Sequence, residues 1–570
     1  MYTLNRFLID YDLSLLRALA ENRGALLTSR RQAEAADELA ALLLDPLSVR
    51  TALSRLRPES RHALDTLLAA GGRMRAAQFW RRFGQVRPMG PGRLERETPW
   101  RDPASPAEEL WYAGFLFRAF SQDEAGPGEF VFIPTDLQPI LPQPAIEPPP
   151  LVVASVPAPG GGVHDPMALV YDLFAYLVYV QNHDVRPYAD GRLGQRDLSA
   201  LRGWLTHASG RRLALLRHVA GKLDFVARQG DMLRLEADPV KRWLASTRAQ
   251  QLKALQDAWF HDPDWNDLCR VPSLQCDQQT LWRNDPVATR QALLALLARC
   301  PLDSWWSVTS FIAAIQASHP DFQRPDGDYT SWYIRDVASG EYLSGFESWD
   351  RVEGALLADL LTGPLLWLGI VAAVPAEGGA VCRLTEAGMR FLGLVAGEPE
   401  DRPSPPLVVH PDFSVEVPPP ANLYTRFQLE RFAEPQGPPA AATDLETGRY
   451  QLTVGSLGRA LARGIRIEQV LAFLQQAGER PVPANVVGQL RLWAGRFGQV
   501  QLEEVALLRV KSERVLKDLT VLPETRSLIS KVLTPTTALV RKRDLPRLRK
   551  ELRALGYLLP EATGDPGERG

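Results

Sequence analysis

Basic residues concentrate in two stretches of the sequence, where their chemistry favours contact with phosphate. Residues 50–101 hold twelve arginines against four acidic residues, and residues 505–560 hold thirteen lysines and arginines against five. A guanidinium group can donate two parallel hydrogen bonds to a phosphate, which suits arginine to a nucleic-acid backbone. A solvated cationic surface is the alternative, because arginine also outnumbers lysine elsewhere in the chain. The residues predicted to contact nucleic acid are Arg73, Arg75, Arg81, Arg82, Arg541, Lys542, Arg543, Arg547 and Lys550.

Motifs of catalytic chemistry are absent from the sequence. It contains no G-x-x-x-x-G-K-[ST], H-E-x-x-H, G-x-S-x-G or G-x-G-x-x-G string, and each of these strings carries a known mechanism. His261, Asp262 and Asp264 form the strongest candidate for a metal cluster, ahead of His183 with Asp184, but Asp-Pro-Asp is ordinary turn chemistry. We therefore expect no catalytic residue, metal site, cofactor or small-molecule substrate, and we expect that the protein is not an enzyme. An unrecognised enzyme is the third reading.

Cysteine usage and the amino terminus bear on the compartment. The four cysteines include no C-x-x-C pair, so we expect neither a zinc ribbon nor disulfide bonds, and a reducing compartment. Cys269 and Cys276 are interpreted as packed or incidental thiols. The first residues do not read as a signal peptide, and no run approaches about 20 apolar residues. The expected location is the cytoplasm, nucleoid association included, with no membrane contact.

Proline-rich breaks divide the 570-residue chain, for which length alone predicts about four domains. Consecutive prolines favour extended linker geometry. The predicted fold class is mostly α with small sheets, an α+β multidomain protein. Its predicted parts are an amino-terminal helical region with a winged helix (residues 1–141), a Pro/Gly-rich linker (142–166), a helical region with a second winged-helix-like unit (167–400), a carboxy-terminal α+β domain (405–560) and a tail (561–570).

The winged-helix prediction rests on element order. Residues 58–134 follow the order helix, helix, helix, strand, strand, with helices over 58–70, 76–83 and 106–113 and strands over 115–120 and 130–134. A weak internal repeat aligns Gly114 with Gly369, and the second copy takes helices from 288–300 and 307–318. A simple helix followed by a hairpin would give the same pattern.

Acidic residues argue against base reading by these winged helices. The third helix of a winged helix normally enters the major groove. Here carboxylates on that helix and on the wing would repel phosphates, which favours docking to protein. They are Glu108, Glu109, Asp123 and Glu124 in the first copy and Glu353 and Asp359 in the second.

The carboxy-terminal third carries distinctive motifs in combination. P-D-F lies in an alternating strand, L-T-x-x-S-L begins a helix with Thr453 as N-cap, and P-x-N-V precedes an amphipathic helix. A final helix over residues 544–555 buries a leucine stripe and leaves its arginines and lysine outside. Residues 407–560 resemble the helicase-associated domain related to the amino-terminal part of XPB-type DNA repair helicases. The layout is similar to bacterial stand-alone proteins with that domain, and the XPB motor is absent.

The resemblance implies an accessory role in DNA transactions. We expect non-catalytic, sequence-independent DNA binding in support of a separate helicase or nuclease, in DNA repair or a related process. The alternative is a protein-interaction scaffold or transcription-associated factor whose winged helices dock partner proteins.

Overall fold

The computed structural model describes residues 2–123, 126–142, 151–160, 165–207, 209–277, 282–397, 403–437, 447–500 and 504–559. The chain forms two compact units, one of residues 1–405, 417–430 and 435–449, the other of 406–416, 431–434 and 450–570. Both are mainly helical with small antiparallel sheets, which confirms the predicted fold class. Within the described ranges, no helix is long and apolar enough to cross a membrane. The predicted tail lies outside the described residues.

The first winged helix keeps the predicted order of three helices and two strands, and it adds a strand over Arg73–Arg75 and a helix over Pro91–Glu97 that were not predicted. Its sheet has the order β1-β3-β2, with Arg73 opposite Phe132, and its helices α5, α6 and α8 begin at the predicted residues. The first wing strand begins later than predicted, because Gly114 adopts φ +70° and the chain turns back at Phe115 to bond the Leu110 carbonyl. The elements are α1 (Leu4–Leu8), α2 (Leu13–Asn22), α3 (Gln32–Leu44), α4 (Pro46–Arg55), α5 (Pro58–Ala69), β1 (Arg73–Arg75), α6 (Ala76–Phe83), α7 (Pro91–Glu97), α8 (Pro106–Tyr112), β2 (Phe117–Asp123) and β3 (Gly126–Phe132).

The central region contains the second winged helix. Strand β8 pairs with β11 of the hairpin, as β1 pairs with β3 in the first copy. Gly369 has φ +64°, as its aligned partner Gly114 has +70°. The elements are β4 (Ser155–Val156), α9 (Ala168–Asn182), α10 (Gln195–Arg202), α11 (Gly210–Lys222), β5 (Val226–Gln229), β6 (Met232–Leu235), α12 (Ala237–Ala245), α13 (Arg248–Phe260), β7 (Leu274–Cys276), α14 (Pro286–Leu297), β8 (Trp305–Ser307), α15 (Val308–Ser318), β9 (Ile334–Asp336), α16 (Ala355–Thr362), α17 (Pro364–Trp367), β10 (Val371–Ala376), β11 (Gly379–Leu384) and α18 (Glu386–Phe391).

Part of the predicted linker belongs to this second winged helix. Strand β4 pairs with β8, which places Ser155 opposite Trp306. Leu151 and Val153 are buried while Val152 between them is 78% exposed, the alternation of a strand on a core. Residues 143–150 and 161–164 of the linker lie outside the described residues. Leu151 and Val153 thus join the core, and Ser155 and Val156 pair with β8, while most other described residues of the predicted linker are exposed.

One pair of cysteines departs from the sequence prediction. Cys269 and Cys276 form a disulfide, so the expectation of thiols at these positions is wrong. The chain turns between them, with the Leu274 amide bonding the Val271 carbonyl, and this brings their Cα atoms to 5.3 Å. Cys300 and Cys382 are buried free thiols. A reducing compartment was expected because no disulfide was expected, so that expectation loses its support.

The carboxy-terminal third contains the remaining elements. Thr453 caps α20 as predicted, accepting a hydrogen bond from the Ser456 amide at 3.0 Å. Helix α19 lies within the predicted domain 405–560, yet its Leu423 and Phe427 join the core of the first unit. The elements are β12 (Val408–Val409), β13 (Ser414–Val417), α19 (Leu423–Leu429), β14 (Glu434–Pro435), β15 (Gly448–Gln451), α20 (Val454–Ala462), α21 (Ile467–Ala477), α22 (Ala484–Arg496), β16 (Val505–Arg509), α23 (Glu513–Val521), α24 (Pro523–Arg526), β17 (Lys531–Thr534), β18 (Thr537–Arg541) and α25 (Leu545–Ala554).

Candidate nucleic-acid interface

The last sheet and helices of the second unit hold the carboxy-terminal basic residues in place. The three strands pair in the order β16-β18-β17. Val540 of β18 packs with Leu548 and Leu552 of α25 and with Leu519 of α23 in one small core. Because leucines at i and i+4 occupy one face of α25, its basic residues lie on the others. This confirms the predicted inward stripe at its two central leucines, whereas Leu555 is 39% exposed.

The predicted cations here fall into two groups by their partners. Arg541 Nε donates to Asp544 Oδ2 at 2.7 Å, and Lys542 Nζ lies 2.6 Å from Glu504 Oε2. The hydrogen bond to Glu504 raises the pKa of Lys542 above its ordinary value. Arg543 Nε is 4.0 Å from Asp544 and its side chain is 74% exposed. Arg547 and Lys550 are exposed on α25. Three of the five predicted cations are therefore more available to a ligand than the other two.

An apolar strip adjoins these cations. On β18, Ala538 and Val540 are buried, so Leu539 and Arg541 lie on the opposite face of the sheet. Leu507 of β16 is opposite Leu539 and is 53% exposed, and Val505 is opposite Arg541. The surface therefore combines cations with exposed apolar side chains.

The amino-terminal arginines of β1 are committed within the first winged helix. Arg73 donates to the Gln122 carbonyl at 2.6 Å and stacks over Phe130 at 4.2 Å. Arg75 is buried, and its Nε donates to Asp123 at 3.0 Å within an ion pair. Both guanidinium groups therefore stabilise the wing. Their contact with nucleic acid stays a prediction, and it would require them to give up these bonds for bonds to phosphate.

The arginines of α6 meet the second winged helix. Arg81 Nη1 donates to Asp321 at 2.6 Å, a residue 240 positions away in sequence. Arg82 is exposed, and its Nη2 lies 3.4 Å from His62 Nε2. Beside them lie Arg299 and His319, which the sequence analysis missed, because an isolated arginine and an isolated histidine match no motif.

The acidic third helices require a correction. Glu108 is fully buried, and its carboxylate accepts from Arg87 Nε at 2.9 Å and from the Ala104 amide at 2.7 Å. Glu353 is also fully buried and accepts from Arg324 Nε at 2.6 Å. Buried carboxylates with a bonded guanidinium do not project toward a phosphate, so the repulsion argument is wrong for these two residues.

The other carboxylates named in that argument are also engaged. Glu109 pairs with Arg57 at 2.7 Å, Asp359 pairs with Arg211 at 2.5 Å, and Asp123 pairs with Arg75 as described above. Glu124 lies outside the described residues. The five described carboxylates of that argument therefore all serve internal ion pairs, which weakens the support that they gave to protein docking.

The tempting histidine and aspartate cluster is used for structure. Asp262 is buried and bonds His218 and Lys222, while Asp264 lies 2.5 Å from Lys222 Nζ. His261 Nδ1 instead lies 3.0 Å from the carbonyl of Asp257 in the preceding helical turn. Across the part of the chain that the structure describes, no three His, Cys, Asp or Glu side chains are arranged to hold a metal ion.

Comparison with known proteins finds one family. A family model described as helicase conserved C-terminal domain matches residues 407–533. Among curated proteins, none matches the chain. The chain thus carries a helicase-related domain from β12 into β17, and the matched range ends before the five predicted cations Arg541, Lys542, Arg543, Arg547 and Lys550. The finer relation to the amino-terminal part of XPB-type helicases stays a prediction.

Proposed function

We propose that this protein is a non-catalytic DNA-binding protein that assists a separate helicase or nuclease in DNA repair or a related DNA transaction. The observation that carries the proposal is the position of an exposed cationic helix, α25, which follows β18 after the end of the helicase-related domain and lies in the compact unit that holds most of that domain. A phosphate backbone is the ligand that such cations fit best.

The binding we propose is electrostatic and independent of sequence. Arg543, Arg547 and Lys550 are exposed and close together in sequence. Among the described residues, the carboxylate nearest to any of them is that of Asp544, 4.0 Å from Arg543. Cations of this kind contact phosphate oxygens, which position a protein on DNA without reading bases. Arg541 and Lys542 add less, because each must first leave a carboxylate partner.

The alternative function is a protein-docking scaffold or transcription-associated factor. The strip formed by the exposed Val505 and Leu507 with the half-buried Leu539 favours it, because exposed apolar side chains in one patch are typical of protein interfaces. A partner protein would cover this strip, whereas a DNA backbone offers it little.

Salt-dependent DNA binding by the full chain tests the proposal. Fluorescence anisotropy is measured with two unrelated duplexes and one single strand over a range of salt concentrations. We expect similar affinities for both duplexes and a steep loss of affinity with salt, with a logarithmic slope of about −0.9 per neutralised phosphate. The triple variant R543Q/R547Q/K550Q should flatten that slope by about 2.7.

Two further variants sharpen the result. R541Q/K542Q should flatten the slope less, since Asp544 and Glu504 already occupy these cations. R17Q/R30Q/R50Q removes three exposed arginines from the first unit and should leave the slope unchanged. If the wild-type protein raises the anisotropy of none of these DNAs at low salt, the DNA-binding proposal fails and the scaffold function takes its place.

A further inference from the structure

A cleft of 700 Å³ lies where the two winged helices of the first unit meet. Helix α6 of the first winged helix forms one side, and α14 with the end of α15 and the loop after it forms the other. Ligand pockets for small molecules commonly have volumes of about 300–1,000 Å³. The cleft is therefore large enough for a ligand the size of a nucleotide.

The cleft carries an excess of positive charge. Arg81, Arg82 and Arg299 line it, and Asp321 is the one carboxylate among the residues that line it. That carboxylate is already engaged, because it accepts from Arg81 Nη1 at 2.6 Å and from the Tyr329 hydroxyl at 2.9 Å. The Nη2 of Arg81 is buried and has no acceptor among the described residues. With three arginines and one engaged carboxylate among its lining residues, the cleft favours an anionic ligand.

The imidazole of His319 lies next to Arg299 and is affected by the positive charges of Arg299 and Arg82. Its Nε2 lies 3.2 Å from Arg299 Nη1, and its Nδ1 lies 2.8 Å from the Ser318 hydroxyl. Burial, and then the charges of Arg299 and Arg82, lower the pKa of His319 below its ordinary value. The imidazole is therefore neutral near pH 7 and can accept at Nε2, while the positive charge of the cleft stays on the arginines.

Part of the lining is apolar. Leu296, Phe322 and Phe346 contribute their side chains, together with Ala292 and Ala295 of α14. Aromatic side chains offer flat surfaces on which a nucleobase can stack. The cleft thus combines a cationic region with a surface suited to a flat ring.

We propose that this cleft binds a nucleotide, with its phosphate at Arg82 and Arg299 and its base against Leu296, Phe322 and Phe346. The nucleotide can be a free nucleoside monophosphate or the 5′-phosphorylated end of a DNA strand, since both present the same chemistry. The inference does not rest on DNA binding by α25, which lies in the other unit.

Calorimetric titration of the full chain tests the proposal. The probes are a nucleoside 5′-monophosphate, inorganic phosphate, and short oligonucleotides with a 5′-phosphate or a 5′-hydroxyl. Arg82→Gln and Arg299→Gln should each weaken binding by about 10-fold to 100-fold, as expected for loss of a charge-assisted hydrogen bond. Ala295→Phe fills the cleft from an exposed helix position and should also weaken binding. Arg50→Gln, an exposed arginine on α4, is the matched control and should change nothing.

The probes separate the two sources of the nucleotide. Binding of the monophosphate that is stronger than binding of inorganic phosphate supports a free nucleotide. Binding confined to the 5′-phosphorylated oligonucleotide supports a strand end, provided that Arg82→Gln abolishes the preference over the 5′-hydroxyl form. The triple variant R543Q/R547Q/K550Q should keep monophosphate binding. Nucleotide binding by the cleft and DNA binding by α25 can therefore fail independently of each other.

Two results would overturn it. The first is that neither the monophosphate nor the 5′-phosphorylated oligonucleotide binds better than its control probe. The second is binding that survives both Arg82→Gln and Ala295→Phe unchanged. Arg82 is exposed, so its variant is expected to fold even if Arg299→Gln does not.

Discussion

A buried ion pair joins the second winged helix to the segment after α13, and its removal should be costly. Arg290 of α14 is fully buried, and its Nε donates to Asp267 Oδ2 at 2.7 Å. Its Nη1 donates to the carbonyls of Trp259 at 2.6 Å and Asp262 at 2.7 Å. Asp267 Oδ1 accepts from the indole nitrogens of Trp259 at 3.2 Å and Trp265 at 3.0 Å. Each charge is therefore satisfied only while the other is present.

Arg290→Met should destabilise this region by about 3–5 kcal/mol, the usual cost of leaving one partner of a buried pair uncompensated. Burial already raises the pKa of Asp267, and loss of Arg290 raises it further. A carboxyl with a raised folded pKa favours folding below its unfolded pKa of about 3.9 and loses that contribution as pH rises. The deficit of the variant should therefore shrink as the pH approaches 4. R290M/D267N should recover part of the stability at neutral pH.

Amide hydrogen exchange read by mass spectrometry over α13 and α14 measures the local free energy of opening, without assuming that the whole chain unfolds at once. Lys253→Met is the matched control, because it removes an exposed i,i+4 pair with Asp257 on α13. Such pairs contribute about 0.3–0.5 kcal/mol. A cost for Arg290→Met as small as that of the control would refute the reasoning, since it would mean that neither charge depends on the other.

Three other predictions follow from the sequence and the packing. At pH 8 a thiol-specific reagent should label neither Cys300 nor Cys382 in the folded protein, because burial raises the pKa of each thiol to about 12. In the protein unfolded without reductant the same reagent should label two thiols. A count of four would contradict the Cys269–Cys276 disulfide. Purified protein should hydrolyse no ATP above the buffer rate, and activity that a point mutation in this chain removes would disprove the non-enzyme prediction. Gly369→Ala should lower the melting temperature measured by calorimetry, because φ is +64° and the new Cβ would lie 2.7 Å from a backbone carbonyl oxygen; an unchanged melting temperature would contradict this.

Local structure was determined largely by the sequence alone. The predicted helix over 76–83 has the observed bounds of α6, and α5 begins at Pro58 as predicted, in line with the preference of proline for the first helical position. The repeat that aligned Gly114 with Gly369 follows from one physical requirement. Each position needs a left-handed backbone where a helix turns into the wing, and glycine adopts it without steric cost.

Long-range pairing was decided only by the tertiary structure. The sequence counts charges, but it does not show that Glu108 is buried against Arg87, or that Asp321 takes up Arg81 from 240 residues away. Whether a carboxylate repels a ligand or neutralises a neighbouring guanidinium depends on which side chains the fold brings within about 3 Å of it.

The same reason explains the sites that the sequence did not reveal. Arg82 and His319 come together because two winged helices pack against each other, and no spacing within either one encodes that contact. The Cys269–Cys276 disulfide likewise depends on a turn that brings two Cα atoms to 5.3 Å. Periodicity and capping act over one or two helical turns, so the sequence determines the elements. Charge neutralisation and cleft formation act between distant segments, and the thiol pairing needs a local turn that no periodicity encodes, so only the folded structure decides the sites.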